Sequence, residues 1–476
     1  MVTRRAFLTS VLSAAAPVSR LGSAAPAAPA ARQPNIILFV GDDLGYGDIG
    51  PYGQTKIATP SLDRLAADGV RFTDFYAGCT VCAPSRAALM TGLHTGHVSV
   101  RGNARGADMD LQTLRPGETT IAQFLKNAGY ATGLFGKWGL GETGSAGHPN
   151  RKGFDEMFGY LNQTHAHNYY PTFLVHNSER VPLRNVPAEE NRERGDGYAK
   201  DRVEYAPDLI LERAQRWVDA NRRRPFFLSF TTTLPHANNE RTRATKNGME
   251  IPSYGQYAGR DWPDPDKGLA AMISRLDADV GALVSQVESL GLTRDTLFIF
   301  TSDNGPHIEG GNTRGFFASS GPFRGIKRDL YEGGIRVPFI ARWPGHIPPA
   351  RTSGHVSYFG DLFATFADLV GRPAPKGLDS ASMAPTLFGR PGQQAHEFLY
   401  WEFYEGGGAQ AVRFGAWKAV RKPIFTGAIE LYDLASDPGE QRNLAAGNPG
   451  VVEQARRLLE RAHTPDPRWI AQQGVG

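Results

Sequence analysis

The chain has 476 residues, 41% hydrophobic and 21% charged, enough to bury a large core as one big α/β domain plus a smaller piece. Its formal net charge of +4 includes Arg4, Arg5 and Arg20 from a leader without Asp, Glu or Lys; without these three the balance is 49 basic to 48 acidic residues, or +1. That balance, with no long Lys/Arg block, speaks against a nucleic-acid partner, and a count of two cysteines excludes a disulfide framework.

In residues 1–31 the run Thr3-Arg4-Arg5-Ala6-Phe7-Leu8 resembles a twin-arginine export signal. An apolar stretch and small-residue cleavage sites follow it. The segment is too short to span a bilayer stably, so the mature chain is expected without a membrane span, in the periplasm or secreted. The twin-arginine machinery would carry the chain out already folded, together with any modification made in the cytoplasm.

From Pro34 onward apolar strands alternate with amphipathic helices. "NIILFV" (Asn35 to Val40) reads as a buried strand and Thr59 to Gly69 as a capped helix. "GCTVCAPSRAALMTG" (Gly78 to Gly92) follows, with Pro84 suited to the first position of a helix that Ser85 to Met90 continues. Glu118 to Ala128 is a helix leading to the strand "ATGLFG", and Pro207 to Asn221 is a helix leading to "PFFLSFTTT". Lys267 to Leu290 is a long helix leading to "TLFIFTS". This rhythm predicts an α/β fold with a large, mostly parallel sheet flanked by helices. Near residues 388–396 it changes to short strand-like runs, turns and a final helix over Val451 to Ala462. The expected division is therefore a leader over 1–31, a catalytic domain over 32–390, and a C-terminal subdomain over 391–476 made of a small antiparallel sheet plus a helix.

Three strands end in chemically loaded loops: Asp42 and Asp43, then Leu234-Pro235-His236, then Asp303 and Asn304. In an open α/β sheet ligands bind beyond the carboxyl ends of the strands, so these residues should meet. Three carboxylates together need a cation, and an all-oxygen set of Asp and Asn suits Ca²⁺ or Mg²⁺ and not zinc. The competing reading is helix caps and turns, where Asp and Asn are also favoured. Cys82 sits at the positive end of its helix with Arg86 one turn along, and Lys137 and Lys327 lie in further loops. A cysteine among a divalent metal, an arginine and two lysines is a site for an anion such as sulfate or phosphate; a redox dithiol with Cys79 needs no such cations.

Cys82-Ala83-Pro84-Ser85-Arg86 followed by Thr91-Gly92 resembles the signature of the type I sulfatases, in the alkaline phosphatase superfamily. "GDDLGYGD", "GKWGLG", "TTLPHANNE", "TSDNGPH", "GPFRGIKRDLYEGGIRVPFIARWPG" and "ELYDLASDPGEQRNLA" follow in the family's order. The resemblance implies an alkaline phosphatase-like sulfatase fold and conversion of Cys82 to Cα-formylglycine by a formylglycine-generating enzyme. It implies that Asp42, Asp43, Asp303 and Asn304 bind Ca²⁺, ahead of Mg²⁺, with residue 82 beside the ion. Arg86 would orient the formylglycine; Lys137, Lys327 and His236 would hold the sulfate, with His236 or Lys327 protonating the leaving oxygen. The substrate would be a sulfate ester, of a sulfated glycan or other external organic sulfate, cleaved to inorganic sulfate. Two alternatives are a phosphonate monoester or phosphodiester hydrolase of the same superfamily, and a non-catalytic sulfoglycan-binding protein.

One departure stands out. The family's motif often reads Gly-Lys-Trp-His-Leu-Gly, and that histidine helps deprotonate the gem-diol; here the position is Gly139. His165 or His167, in "THAHNYYP", is the expected replacement, or else both are loop histidines touching the substrate's leaving group. Asn238, Asn239, Glu240 and His307 are further candidates for contact with the substrate. Cys79 is expected to be a structural thiol. The Asp277-x-Asp279-x-Gly281 run is rejected as a calcium loop because it is helical and its glycine falls one position early.

Overall fold

A computed structural model describes residues 1–2, 33–104, 110–188 and 194–470, so nearly all of the leader lies outside the described residues. Residues 33–476 gather into one compact unit. Its centre is a ten-stranded sheet. Three of these strands, β1 (Asn35–Gly41), β3 (Phe226–Thr231) and β4 (Thr296–Ser302), carry the loaded loops, and a fourth, β2 (Ala131–Lys137), ends in Lys137, which is thus a strand residue and not a loop one. They lie side by side in the order β4-β1-β3-β2 and all run parallel. Glu156–Tyr160 continues the parallel run beside β2, and antiparallel strands flank it on both sides. A large, mostly parallel sheet is thus what the alternating pattern encoded.

β1 is apolar from Ile36 to Val40 because both of its faces are covered. Ile37 and Phe39 join one core with Phe298, Phe300, Leu228 and the helices Pro60–Ala67, Ala206–Asn221 and Asp264–Ser289. Ile36, Leu38 and Val40 join the opposite core, with the helices Cys82–Thr91, Ile121–Asn127 and Asp361–Leu369. The period of two along a strand assigns each side chain to its face. Parallel strands in such a sandwich have all their carboxyl ends at one edge, and the site is built there.

Helix starts differ from the sequence reading where a side chain from elsewhere supplies the cap. Thr59 does not cap its own helix; its Oγ1 accepts from Gly50 N at 2.8 Å. Asp277, from the long helix, accepts from Ser61 N and Leu62 N at 3.1 and 2.8 Å. The helix expected from Glu118 begins at Ile121, fixed by a capping box between Thr120 and Gln123. The motif helix, α1 (Cys82–Thr91), begins two residues before Pro84, which therefore occupies the third helical position. A proline is tolerated there because N–H groups of the first turn have no intrahelical acceptor.

The C-terminal region is a four-stranded antiparallel sheet, from Leu399–Phe403 to Ile429–Asp433, covered by the helix Pro449–Ala462. Alternation again divides its side chains. Tyr400, Val412 and Leu431 face the helix, whereas Trp401, Ala411 and Val420 pack on Tyr76, Cys79 and Val81 just ahead of α1. Trp401 Nε1 donates to Ala77 O at 2.9 Å, so this sheet braces the segment that presents Cys82.

Candidate active site

The turn after β1 places Asp42 and Asp43 below the sheet edge, with Asp43 held at φ 62°, in the left-handed region. Its N–H donates to Asp303 Oδ1 at 3.1 Å, tying the turn after β1 to the turn after β4. Asn304 Nδ2 donates to Asp43 Oδ1 at 2.7 Å, while Asn304 Oδ1 is buried without a hydrogen-bond partner. All four residues are essentially inaccessible to solvent. Burial of Asp42 and Asp43 would raise both carboxyls, but Lys137 beside the first and Lys327 beside the second, each aided by His236, hold them below the ordinary range. Asp303 is pushed up to about 7 by burial and by Asp42. Three buried carboxylates and an orphaned amide oxygen form a set that a hard cation would complete.

α1 brings Cys82 to this cluster. Its Sγ lies 3.4 Å from Asp42 Oδ1. Ser85 Oγ donates to Asp303 O and accepts from Gly78 N, pinning the helix mouth to the β4 turn. Arg86 Nε donates to Asp303 Oδ2 at 3.0 Å, Nη1 donates to Lys137 O at 2.8 Å, and Nη2 lies 2.8 Å from Asp303 Oδ2 in the ion pair. Arg86 thus locks α1, β2 and β4 together. The Cys82 thiol is raised well above its usual range, chiefly by burial, with Asp42 and Asp303 opposing the pull of Lys137. A thiol that resists ionisation is a poor nucleophile in its own right.

Lys137 Nζ donates to Asp42 Oδ2 at 2.7 Å, and Lys327 Nζ to Asp43 Oδ2 at 2.8 Å. Burial alone would lower both lysines, but Asp42 and Asp43 keep them charged. His236 Nδ1 faces Ala237 O at 2.7 Å, which turns Nε2 toward Lys327 Nζ at 3.0 Å as an acceptor. Burial and Lys327 lower His236 to about 3, so it is the neutral partner of a charged lysine.

The remaining candidates separate. His167 is in the site: its ring stacks on His236 at 4.8 Å between centroids, and its Nδ1 meets Glu240 Oε2 at 3.1 Å. His307 packs behind His236 at 5.8 Å, with Nε2 on Pro235 O. His165 is a packing residue, wedged between Tyr160 and Phe173 with Nε2 on Phe173 O at 3.0 Å. Asn238 has its amide fully used as a helix cap and in bonds to Gly197 O and Glu250 Oε2, leaving nothing for a substrate. Cys79 is free, buried and pushed up to about 12 by burial, with Sγ near Glu402 O.

Neither histidine of "THAHNYYP" occupies the place of the missing motif histidine. Gly139 has φ +76°, and a Cβ there would stand 2.0 Å from Gln163 Nε2. Gln163, which the sequence reading passed over, fills that volume with an amide whose nitrogen and oxygen are both buried and unpaired. Glu309 was also missed: its Oε2 accepts from Lys327 Nζ at 3.1 Å. No spacing rule marks either residue, because both reach the site from loops.

A parallel sheet with carboxylates, lysines and a helix mouth beyond its carboxyl edge is a site for an anion beside a cation. A sulfatase family model matches residues 34–372, and a model of the N-sulphoglucosamine sulphohydrolase C-terminal region matches residues 324–464. The chain is 33% identical to human arylsulfatase A, covering 94% of this chain and 90% of the relative. It is 32% identical to an N-acetylgalactosamine-6-O-sulfatase of Bacteroides thetaiotaomicron, covering 91% and 94%. Among solved structures it superposes on Ps i-CgsB in complex with k-i-k-neocarrahexaose with a TM-score of 0.75 at 27% identity, covering 93% and 94%. It also superposes on a Bacteroides thetaiotaomicron structure reported under glycosaminoglycan metabolism with a TM-score of 0.71 at 29% identity, covering 90% and 99%. The chain belongs to the sulfatase family, as a type I sulfatase, and is a sulfuric ester hydrolase.

Proposed function

We propose that the chain, converted at Cys82 to formylglycine and holding Ca²⁺, removes sulfate from a sulfated glycan outside the cytoplasm. The observation that carries this reading is Cys82 itself: a buried, un-ionised thiol at a helix mouth, 3.4 Å from a carboxylate and ringed by cations. As a thiol it has no evident task there. As hydrated formylglycine it would supply one hydroxyl to attack sulfur as the alcohol leaves and a second to expel sulfate as the aldehyde re-forms, and Ca²⁺ would supply positive charge there. Asp42, Asp43, Asp303 and Asn304 would hold the ion; their all-oxygen set and the orphaned Asn304 Oδ1 suit it.

The chain's own residues then divide the work. Arg86 fixes Asp303 and so the position of residue 82. Lys137 and Lys327 hold the anionic group of the ester. Lys327 carries the proton and His236 the lone pair, so Lys327 is the donor to the leaving oxygen. His167, held by Glu240, borders the leaving-group side. Glycan specificity is supported by the N-acetylgalactosamine-6-O-sulfatase relative and by the saccharide-bound neighbour. Export to the periplasm rests on the Arg4-Arg5 leader, and among the described residues no helix is long and apolar enough to cross a membrane.

The test is a screen of sulfated saccharides, phenyl sulfate and a phosphodiester such as diphenyl phosphate, using protein made together with a formylglycine-generating enzyme. Sulfate release from a saccharide at a rate above that from phenyl sulfate is expected. Faster turnover of the diester would overturn the reading in favour of a phosphodiesterase.

A further inference from the structure

Besides His236 Nε2, Lys327 Nζ touches two carboxylates. On the inside lies Asp43, fully buried; on the outside lies Glu309, whose side chain is 22% exposed. Glu309 is thus the partly exposed carboxylate on Lys327, and Asp43 the buried one. Its position is fixed from three directions: Lys327 and Asn239 Nδ2 donate to Oε2 at 3.1 and 3.2 Å, and Arg328 donates to Oε1. Arg328 is itself held at φ 77° and turned between Glu309 and Glu405 Oε2. Burial opposes ionisation of Glu309, but Lys327, His236 and Arg328 outweigh it and keep the group anionic.

A partly exposed carboxylate fixed on a lysine assigned to the sulfate is an odd choice for holding sulfate, since it repels the charge that the lysine attracts. It is well suited to the atoms next to the sulfate. A carboxylate accepts strong hydrogen bonds from neutral hydroxyls and rejects a second anion. We propose that Glu309 reads the carbon next to the sulfate ester, accepting a hydrogen bond from a free hydroxyl there and disfavouring a second sulfate or carboxylate at that position. This rests on the sulfatase reading and narrows the substrate class to esters with an unmodified hydroxyl neighbour.

Phenyl sulfate and 2-hydroxyphenyl sulfate differ only in that neighbouring hydroxyl. The experiment measures kcat/KM for both esters with the formylglycine-bearing protein and its Glu309→Ala and Glu309→Gln variants. It also measures Kd for both with Ca²⁺-supplemented Cys82→Ala protein, with and without Glu309→Ala. The preference for the hydroxylated ester is expected to fall about tenfold to a hundredfold from wild type to Glu309→Ala, the range for a hydrogen bond to a charged group. Glu309→Gln, which keeps an acceptor oxygen, should lie between. Because the readout is a ratio of two substrates, a general loss of activity through Lys327 leaves it unmoved. An unchanged ratio between wild type and Glu309→Ala, in turnover or in binding, would overturn the proposal. A matured wild-type protein that cleaves neither ester would count against the sulfatase reading instead, and the binding ratio would still decide the role of Glu309.

Discussion

At the scale of single residues, the site is a set of buried acids, each held against a cation: Asp42 on Lys137, Asp43 on Lys327 and Asp303 on Arg86. Cys82, Arg86, Asp42, Asp43, Lys137, His236, Asp303, Asn304 and Lys327 all meet; all but Lys327 sit at or near a strand end or helix mouth whose position the fold dictates, and Lys327 comes from the long loop after β4. His165 and Asn238 looked equally suitable and are spent on structure, since nothing in a sequence tells which carbonyl a side chain will reach. Gly139 is the instructive case. Restoring a side chain there is opposed by φ +76° and by Gln163 Nε2 at 2.0 Å. Gly139→Ala should cost about 1–2 kcal/mol in chemical denaturation, and Gly139→Ala with Gln163→Ala should recover only the steric part. Full additivity of the two changes would show that the contact is not the cause. His94 offers a second prediction. Burial lowers it to about 4, with Asp379 only partly offsetting this, and Gly96 N donates to its Nδ1. The unfolded chain takes up that proton near pH 6.5 and the folded chain only near 4. Stability should therefore fall as pH drops through this window, by about 3 kcal/mol for this one group. The melting curve of His94→Gln against pH should be flatter there than that of wild type; parallel curves would contradict it.

At the scale of elements, the four parallel strands that carry the site were read to within two residues, because a continuous apolar run between turns has few alternatives, whereas short flanking strands such as Val70–Phe72, Glu156–Tyr160 and Phe339–Arg342 were not read. Helix starts were read less well. α1 has Val81 as its cap, with no side-chain bond, and the Pro60–Ala67 helix borrows Asp277. Both are tertiary solutions invisible to local rules. The strand Leu399–Phe403 shows how a peripheral element serves the site. Glu402 accepts from Arg101 Nη1 at 2.7 Å and from Tyr400 OH at 2.7 Å, its Oε2 lies 2.8 Å from His463 Nδ1, and its N–H donates to Thr95 Oγ1. These bonds tie the small sheet to the loop that follows α1. Glu402→Ala would leave Arg101 buried without a counter-charge, a loss of about 3–5 kcal/mol in urea denaturation. A change below about 1 kcal/mol, the scale of exposed pairs, would show that the network is not structural.

At the scale of the whole molecule, the carboxyl edge of one parallel sheet gathers acids from two strands and cations from three further segments. The result is stable only if the acids are compensated. Lys137, Lys327 and Arg86 do part of this, and Asp303, held near 7, marks what they leave undone. Ca²⁺ at a hundred times its Kd should raise stability by about 2.7 kcal/mol, seen as a higher melting temperature that EDTA reverses. Asp43→Asn should abolish that shift; a shift that survived it would place the ion elsewhere. The central claim, that sulfate hydrolysis runs through a modified Cys82, is tested most directly by one measurement. Sulfate released from phenyl sulfate is quantified by ion chromatography for wild type and Cys82→Ala, each made with a formylglycine-generating enzyme, with the residue 82 peptide read by mass spectrometry. Many turnovers by wild type bearing an aldehyde at residue 82, and none by Cys82→Ala, are predicted. Equal release by Cys82→Ala, or full activity from protein whose Cys82 is still a thiol, would contradict the account.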